Sequence, residues 1–394
     1  MKKIMILGAS ILQVPAIREA KELGLKVVAV DMDPNAIGFD EPDIEKEVIS
    51  TIDVPAVVRA AKKHNVCGVI TVASDMPMRS VAAVSKEMGL IGVSEETALM
   101  ATNKAEMRAA FERNGVASPI SYKISSKKEF EEAANKIGGK FIVKPADNSG
   151  SRGVYLVETN NEAINAYEYS RKFSRNGDVV VEEFMTGPEV SVELIAVEGK
   201  FHVLQVTDKL TTGAPHFVEI GHSQPSRLSQ TDVCAIKELA IKAAKAVGID
   251  NGPAHAEIIL TELGPKMVEI GARMGGGCIT THLVPLSTGI NMTKATIQVA
   301  MGTKPDISHK HQKGAAIRFI IPPIGRVTKI SGVREAKKLL GVEAVEIQCK
   351  VGQFIGKLES GASRIGYVIA QAETVEKAVQ ICEEALSKII ISVE

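Results

Sequence analysis

Tryptophan is absent from this chain of 394 residues, and aromatic residues together make up only 4% of it. Proteins that grip single-stranded nucleic acid stack bases on aromatic rings, so such a surface has little to be built from. Net charge is missing too. Lys plus Arg and Asp plus Glu stand at 47 each, and no long-range field draws the protein to nucleic acid or an anionic membrane. Cys67, Cys234, Cys278, Cys349 and Cys382 form no CxxC pair. Their scatter and odd number suit reduced thiols in or near the core. No apolar run approaches the roughly 18 residues of a membrane span, and Met1-Lys2-Lys3 runs into a short strand without a small-residue cleavage site. The expectation is a cytoplasmic protein without nucleic-acid or membrane partners. With 45% hydrophobic and 24% charged residues, the chain is globular and long enough for two or three domains.

The first hundred residues alternate strand and helix. Ile4 to Leu7 is an apolar run followed by Gly8-Ala9-Ser10, a helical stretch to about Leu23, a stop at Gly24 and a second run from Val27 to Val30. Gly68 to Val72 adds another strand, so a parallel sheet is predicted. The turn after the first strand lacks the second and third glycines of a dinucleotide fingerprint, which makes a nicotinamide site the weaker reading.

From Asn103 the texture changes. Asn103 with Glu106, Ser126 with Glu129 and Thr159 with Glu162 have capping-box spacing and predict three helix starts. Between the last two lies KFIVKPADNSGSRGV, residues 140–154. A Walker loop places its lysine after the glycines. Here Lys144 comes first, at the end of a strand, and Val154 to Val157 reads as a returning strand. The order suits a hairpin whose tip covers phosphates while a lysine below reaches them. Further on, Glu182-Glu183-Phe184-Met185 breaks an apolar strand before a Gly187-Pro188 turn and Glu189. A purine can lie on Phe184 and Met185 while Glu189 accepts from ribose hydroxyls; a plain hairpin with solvated acids is the other reading.

Residues 254–277 read AHAEIILTELGPKMVEIGARMGGG. Alternation puts His255, Glu257 and Ile259 on one face of a strand and Met267, Glu269 and Gly271 on one face of the next. With the tip near residue 263, Glu257 and Glu269 stand opposite each other. Two carboxylates so placed repel unless they face solvent or share a divalent cation, and Mg2+ favours one or two carboxylates plus phosphate oxygens. Arg273 follows, and Gly275, Gly276 and Gly277 let backbone approach a ligand closely. Residues 207–226 read as a polar loop between strands carrying His216 and His222.

Together these motifs resemble the ATP-grasp enzymes, most closely the L-amino acid ligases that join two amino acids. The resemblance covers nearly the whole chain. It implies a multidomain α/β and α+β architecture, the ATP-grasp fold. A Rossmann-like pre-grasp domain would span 1–100 and an ATP-grasp core 101–305, with the phosphate loop in a small subdomain at about 115–185. A small lid-like C-terminal α+β domain would span 306–394. It implies ATP and Mg2+, or Mn2+, as cofactors. Lys104 and Lys144 would hold the α and β phosphates, and Ser149, Gly150, Ser151 and Gly153 would cover the β and γ phosphates. Glu182, Phe184 and Glu189 would surround adenosine, and Glu257 and Glu269 would bind the metal. Arg273 would face the transferred phosphoryl group, with Lys144 as its catalytic companion. His216, Gly275 and Gly276 would line the substrate pocket.

Many ATP-grasp enzymes have asparagine as a third metal ligand where this chain has Gly271. EIGAR in its place favours the amino acid ligase branch. The implied reaction is amide formation between amino-acid-like small molecules through an acyl phosphate, releasing ADP and phosphate. A purine-pathway or carbamoyl-phosphate-synthase-like ligase is the alternative, and an ATP-binding sensor the non-enzyme one. A homodimer through the first domain is carried over from the family without a sequence signature.

Overall fold

The computed structural model describes the chain from Met1 to Glu394 apart from Ser151, Pro215, His216 and Pro322. The apolar runs near the N-terminus form β1 (Lys3–Leu7) and β2 (Lys26–Asp31), joined by β3 (Glu45–Val48) and β4 (Gly68–Thr71) in a parallel sheet of order β3-β2-β1-β4. The first turn is closed on itself. Ala9 N donates to Asp31 Oδ2 at 2.8 Å, Ser10 N donates to Gln13 Oε1 at 3.0 Å, and a Cβ on Gly8 would strike Gln13 Cδ at 2.8 Å. Those N–H groups are already engaged, which disfavours a pyrophosphate there.

The hairpin of residues 141–157 belongs to a small antiparallel sheet of β5 (Ser121–Ile124), β6 (Phe141–Pro145), β7 (Tyr155–Val157) and β8 (Val179–Glu183), ordered β5-β8-β6-β7. Its own core packs Phe130, Phe141 and Tyr167, the rings of Phe130 and Tyr167 stacking at 4.8 Å. Ser126 and Glu129 form the reciprocal capping box. Asn103 caps its helix by accepting from Ala105 and Glu106 N–H. The third start differs from its prediction. A 3-10 turn at Asn160–Glu162 precedes the helix Ala163–Lys172, and the Glu162 carboxylate reaches back to Glu158 N at 3.3 Å.

The large sheet contains β9 (Glu189–Val197), β10 (Lys200–Thr211), β11 (Glu219–Gln224), β12 (Gly252–Thr261) and β13 (Gly264–Gly271). The chain continues through β14 (Gly314–Phe319), β15 (Gly325–Ser331), β16 (Val342–Ile347), β17 (Phe354–Ile355), β18 (Gly366–Ala372) and β19 (Ile390–Val393). Of these, β14, β18 and β16 extend the large sheet to eight strands in the order β13-β12-β9-β10-β11-β14-β18-β16, while β17-β15-β19 form a separate sheet. Segment 207–226 is therefore not one loop, since it includes the last residues of strand β10 and all of β11. Val190, Val192, Ala254 and Ile258 share one apolar core with Met5, Leu7, Val28 and Val30, so the large and parallel sheets are packed together. Cys349 and Cys382 are buried, but Cys234 is exposed on the outward face of the helix Gln230–Ala246. Among the described residues no helix is long and apolar enough to cross a membrane.

The small sheet joins the large one through Phe184 to Pro188. Gly187 has φ +140°, and a Cβ there would lie 2.0 Å from Leu260 O. Both backbone conformation and space exclude a side chain. Gly187→Ala is expected to lower unfolding stability by on the order of 3 kcal/mol, read as a lower urea midpoint.

Candidate nucleotide and metal site

Lys144, at the end of β6, places its ammonium 2.7 Å from Glu182 Oε2, and Arg108 Nε donates to Glu182 Oε1 at 2.8 Å. All three side chains are buried; Lys144 is 5% exposed and Glu182 4%. Burial alone would raise the Glu182 pKa, but the Arg108 and Lys144 charges outweigh it and hold the carboxyl at about 2. Lys144 moves the other way. Burial, with Arg108 and Lys104 nearby, outweighs Glu182 and depresses its pKa. Arg108 Nη2 also donates to Val268 O at 2.6 Å, the carbonyl of the extra residue in a β-bulge of β13.

Lys104 lies in the first turn of the helix Lys104–Arg113. Its ammonium donates to Asn148 O at 2.8 Å and lies 3.0 Å from Glu269 Oε2, tying the hairpin tip to β13. Within the tip, Gly150 has φ +68° with open space about it, while Gly153 has φ +80° and presses on Phe173 and Pro145, where a Cβ would come within 2.7 Å of each. Gly153 is thus an anchored end and Gly150 a free bend. Ser149 N donates to Asn148 Oδ1 at 2.9 Å; Ser151 lies outside the described residues.

Glu257 and Glu269 pair directly across the β12–β13 ladder. Each is balanced by a lysine: Lys104 at Glu269, and Lys209 Nζ 3.3 Å from Glu257 Oε2. Lys209 also lies 2.6 Å from Glu189 and 3.1 Å from Glu219. Burial would depress Lys209, but these three carboxylates raise its pKa well above the usual lysine value. His255 sits between Glu193 (Nδ1 to Oε1, 2.6 Å) and Glu257 (Nε2 to Oε1, 3.3 Å). Burial disfavours its charge, yet Glu193 outweighs burial and raises it to about 9. The remaining oxygen, Glu193 Oε2, is buried without a partner among the described residues.

These contacts bear on a metal. Two facing carboxylates are hard donors that Mg2+ shares with phosphate oxygens, and among the described residues no third His, Cys, Asp or Glu completes a protein-only cage. The donor set fits a cation held jointly with a ligand.

The segment after β8 is partly hydrogen-bonded. Glu183 N–H is engaged by Ile120 O at 2.9 Å, and Phe184 N–H by Lys140 O at a long 3.4 Å. Met185 N–H has no partner among the described residues. The Phe184 and Phe217 rings lie 6.4 Å apart, tilted by 47° to one another, and give the region an apolar wall. Glu189 faces the same region through Lys209. Arg273 is 8% exposed, and its Nε and Nη2 donate to the two oxygens of Asp75 at 2.8 Å each.

The fold therefore brings together Lys104, Lys144, Glu182, Glu257, Glu269 and Arg273, with Glu189 and Phe184 along one side. Gly275 has a packing reason for being glycine: a Cβ would meet His255 Nδ1 at 2.6 Å, whereas at Gly276 the nearest atom, Ala73 Cβ, is at 3.5 Å. His216 lies outside the described residues. Four participants escape a sequence reading: Asp75, Arg108, Glu193 and Lys209. Only Arg108 had an available signal, four residues after Lys104 on the same helix face.

An open hinge beside a phosphate hairpin, with cations alternating with acids on a neighbouring sheet, defines an ATP-grasp fold. Residues 137–282 match the ATP-grasp domain family and residues 318–394 match L-amino acid ligase C-terminal domain 2. The chain is 25% identical over 283 residues to the L-arginine-specific L-amino acid ligase of Bacillus subtilis, covering 70% of this chain and 68% of that protein. Among solved structures it superposes on the L-amino acid ligase from Bacillus licheniformis with TM-score 0.87 at 24% identity, covering 100% of this chain and 99% of that one. Phosphoribosylglycinamide synthetase from Anaerococcus prevotii gives TM-score 0.82 at 24% identity over the full length of both chains. The chain thus carries an ATP-grasp domain followed by an L-amino acid ligase C-terminal domain, and the proteins it is similar to are ATP-dependent ligases, L-amino acid ligases among them.

Two outcomes are expected. Glu182, usual value 4.5 and about 2 when folded, contributes stability that is present above pH 4.5 and lost as pH falls toward 2. His255, usual value 6.5 and about 9 when folded, contributes stability that is present below pH 6.5 and lost as pH rises through 9. Each amounts to on the order of 3 kcal/mol, so thermal scans across pH should show a maximum between the two limbs, and Glu182→Gln should flatten the acid limb. The second outcome concerns Glu269→Gln. It frees Lys104 from its acid, so calorimetry should show metal-free ATP binding several-fold tighter while the gain from added Mg2+ falls at least tenfold.

Proposed function

We propose that the chain joins the carboxylate of one amino acid to the amine of another through an acyl phosphate, releasing one ADP and one phosphate per bond. The observation that carries this reading is the charge pattern around the facing pair Glu257 and Glu269, with Lys104 and Lys209 beside them and Arg273 following β13. It offers hard oxygens to a divalent cation and a ring of cations to phosphate oxygens. The match of residues 318–394 to an L-amino acid ligase domain points the same way.

In this reading adenine lies against Phe184 with ribose at Glu189, and Lys104 and Lys144 hold the α and β phosphates. Bound Mg2+ would neutralise phosphate charge from Glu257 and Glu269. The substrate carboxylate attacks the γ phosphorus, giving the acyl phosphate and ADP. An amine then attacks the acyl carbon, expels phosphate and loses a proton. No protein nucleophile is needed. Catalysis rests on positioning and on stabilisation of the transferring group by Lys144, Lys209 and Arg273. Residues 149–153 close over the phosphates and exclude water, which would hydrolyse the intermediate. We divide the chain for this purpose into the parallel-sheet domain 1–100, the nucleotide-binding core 101–305 and the C-terminal domain 306–394, with His216 and Gly276 on the substrate side.

The full-length likeness to phosphoribosylglycinamide synthetase supports a second reading with the same acyl-phosphate step and a purine-precursor amine. ADP release should be scanned over single and paired amino acids with Mg-ATP, and products identified by mass spectrometry. The expected result is a dipeptide with ADP and phosphate in equal amounts. ADP formed only with a phosphoribosyl amine or an imidazole ribotide would replace the first reading by the second.

A further inference from the structure

We infer that Asp75 is the positioning residue that sets the orientation of Arg273, and that residue 271 is glycine because this carboxylate needs the space. The inference rests on the reading of Arg273 as the group that faces the transferred phosphoryl.

Three observations support it. The first is the grip itself. Arg273 Nε and Nη2 donate to Asp75 Oδ1 and Oδ2 at 2.8 Å each, and Nη1 donates to Met274 O at 3.3 Å. A guanidinium has five N–H bonds. The side-on grip uses two and the Met274 carbonyl a third. The two that remain, one on each terminal nitrogen, form the end-on fork, which matches two oxygens of a phosphoryl or carboxyl group. A loose arginine would have to order its long side chain when it meets the ligand, whereas this one is already fixed.

The second observation is Gly271. Its φ is outside the left-handed region, so the backbone there admits any residue. Space does not: a Cβ would stand 2.5 Å from Asp75 Oδ1 and 3.2 Å from Arg273 Nε. The space a side chain at residue 271 would need is taken by a carboxylate from the loop after β4.

The third is how Asp75 is held. Its loop follows β4 and is fastened to the chain after β13 by Ala73 N donating to Met274 O at 3.2 Å, within a parallel bridge of Val72 and Met274. Met78 N donates to Asp75 O at 3.1 Å. Two sheets, 198 residues apart in sequence at this contact, are stitched where the arginine leaves the strand.

The test uses the full-length protein and five variants: Asp75→Asn, Asp75→Glu, Gly271→Ala, Arg273→Ala and the double change Asp75→Asn/Gly271→Ala. The Arg273 Nε–H resonance, assigned by its loss in Arg273→Ala, should exchange slowly in the wild type and rapidly in Asp75→Asn and Gly271→Ala. With the amino acid pair found by the product scan, kcat should fall on the order of tenfold or more in those two variants, with ATP affinity unchanged by calorimetry. Asp75→Asn/Gly271→Ala should lose no more than either single change, because both remove one grip. Asp75→Glu should recover part of kcat. An unchanged resonance, additive losses, or wild-type kcat with a freed arginine would overturn the positioning role. Wild-type kcat in Arg273→Ala, or no turnover with any amino acid, would instead overturn the reading of the site on which it rests.

Discussion

Glu182 carries two buried cations on one carboxylate, and the interior of this protein depends on that arrangement. Neither Arg108 nor Lys144 can leave water without a counter-charge, because an unpaired buried ion costs several kcal/mol. With both charges offset by Glu182, the helix Lys104–Arg113 can press against β5 and β8 and deliver Lys104 to the hairpin tip. The same principle repeats outward. Lys104 meets Glu269, Lys209 meets Glu257, Glu189 and Glu219, His255 meets Glu193, and Arg273 meets Asp75. Acids and bases alternate through the site, so a polar centre fits inside a protein whose cores are otherwise apolar.

Such alternation also prepares the site for a highly charged ligand. Triphosphate oxygens and a divalent cation can take over from glutamates and lysines respectively, exchanging one set of ion pairs for another with little net change in buried charge. The exchange favours the two arriving together, since either alone would leave half of the protein's own charges without partners.

Much of the fold was legible because its signals are local. Apolar runs marked β1, β2 and β4, lysine-before-glycine marked the phosphate hairpin, and strand alternation about a tip placed Glu257 opposite Glu269. The strand β3, reading EKEV at a sheet edge, carries no apolar run and gave no sign of itself. Segment 207–226 looked like a loop because β10 and β11 turn Lys209, Glu219 and His222 toward the charged site, so their polar residues point inward. Asp75 was illegible for a different reason. Its meaning lies in a partner 198 residues away, and only three-dimensional packing reveals why Gly271 has no side chain.

The large sheet does not stop where the nucleotide-binding strands end. β11 pairs with β14 through Gly221↔Arg318 to Gln224↔Ala315, and β14 with β18 over six residue pairs. The C-terminal segment therefore shares a continuous hydrogen-bonded ladder with the strands that carry Lys209 and Glu257, and cannot swing as a separate door. The small sheet, by contrast, shares no strand pairing with the large one and is linked to it in sequence by the Phe184–Pro188 crossing. Without the C-terminal strands, β11 would expose its backbone along its length, an edge open to pairing with any passing strand.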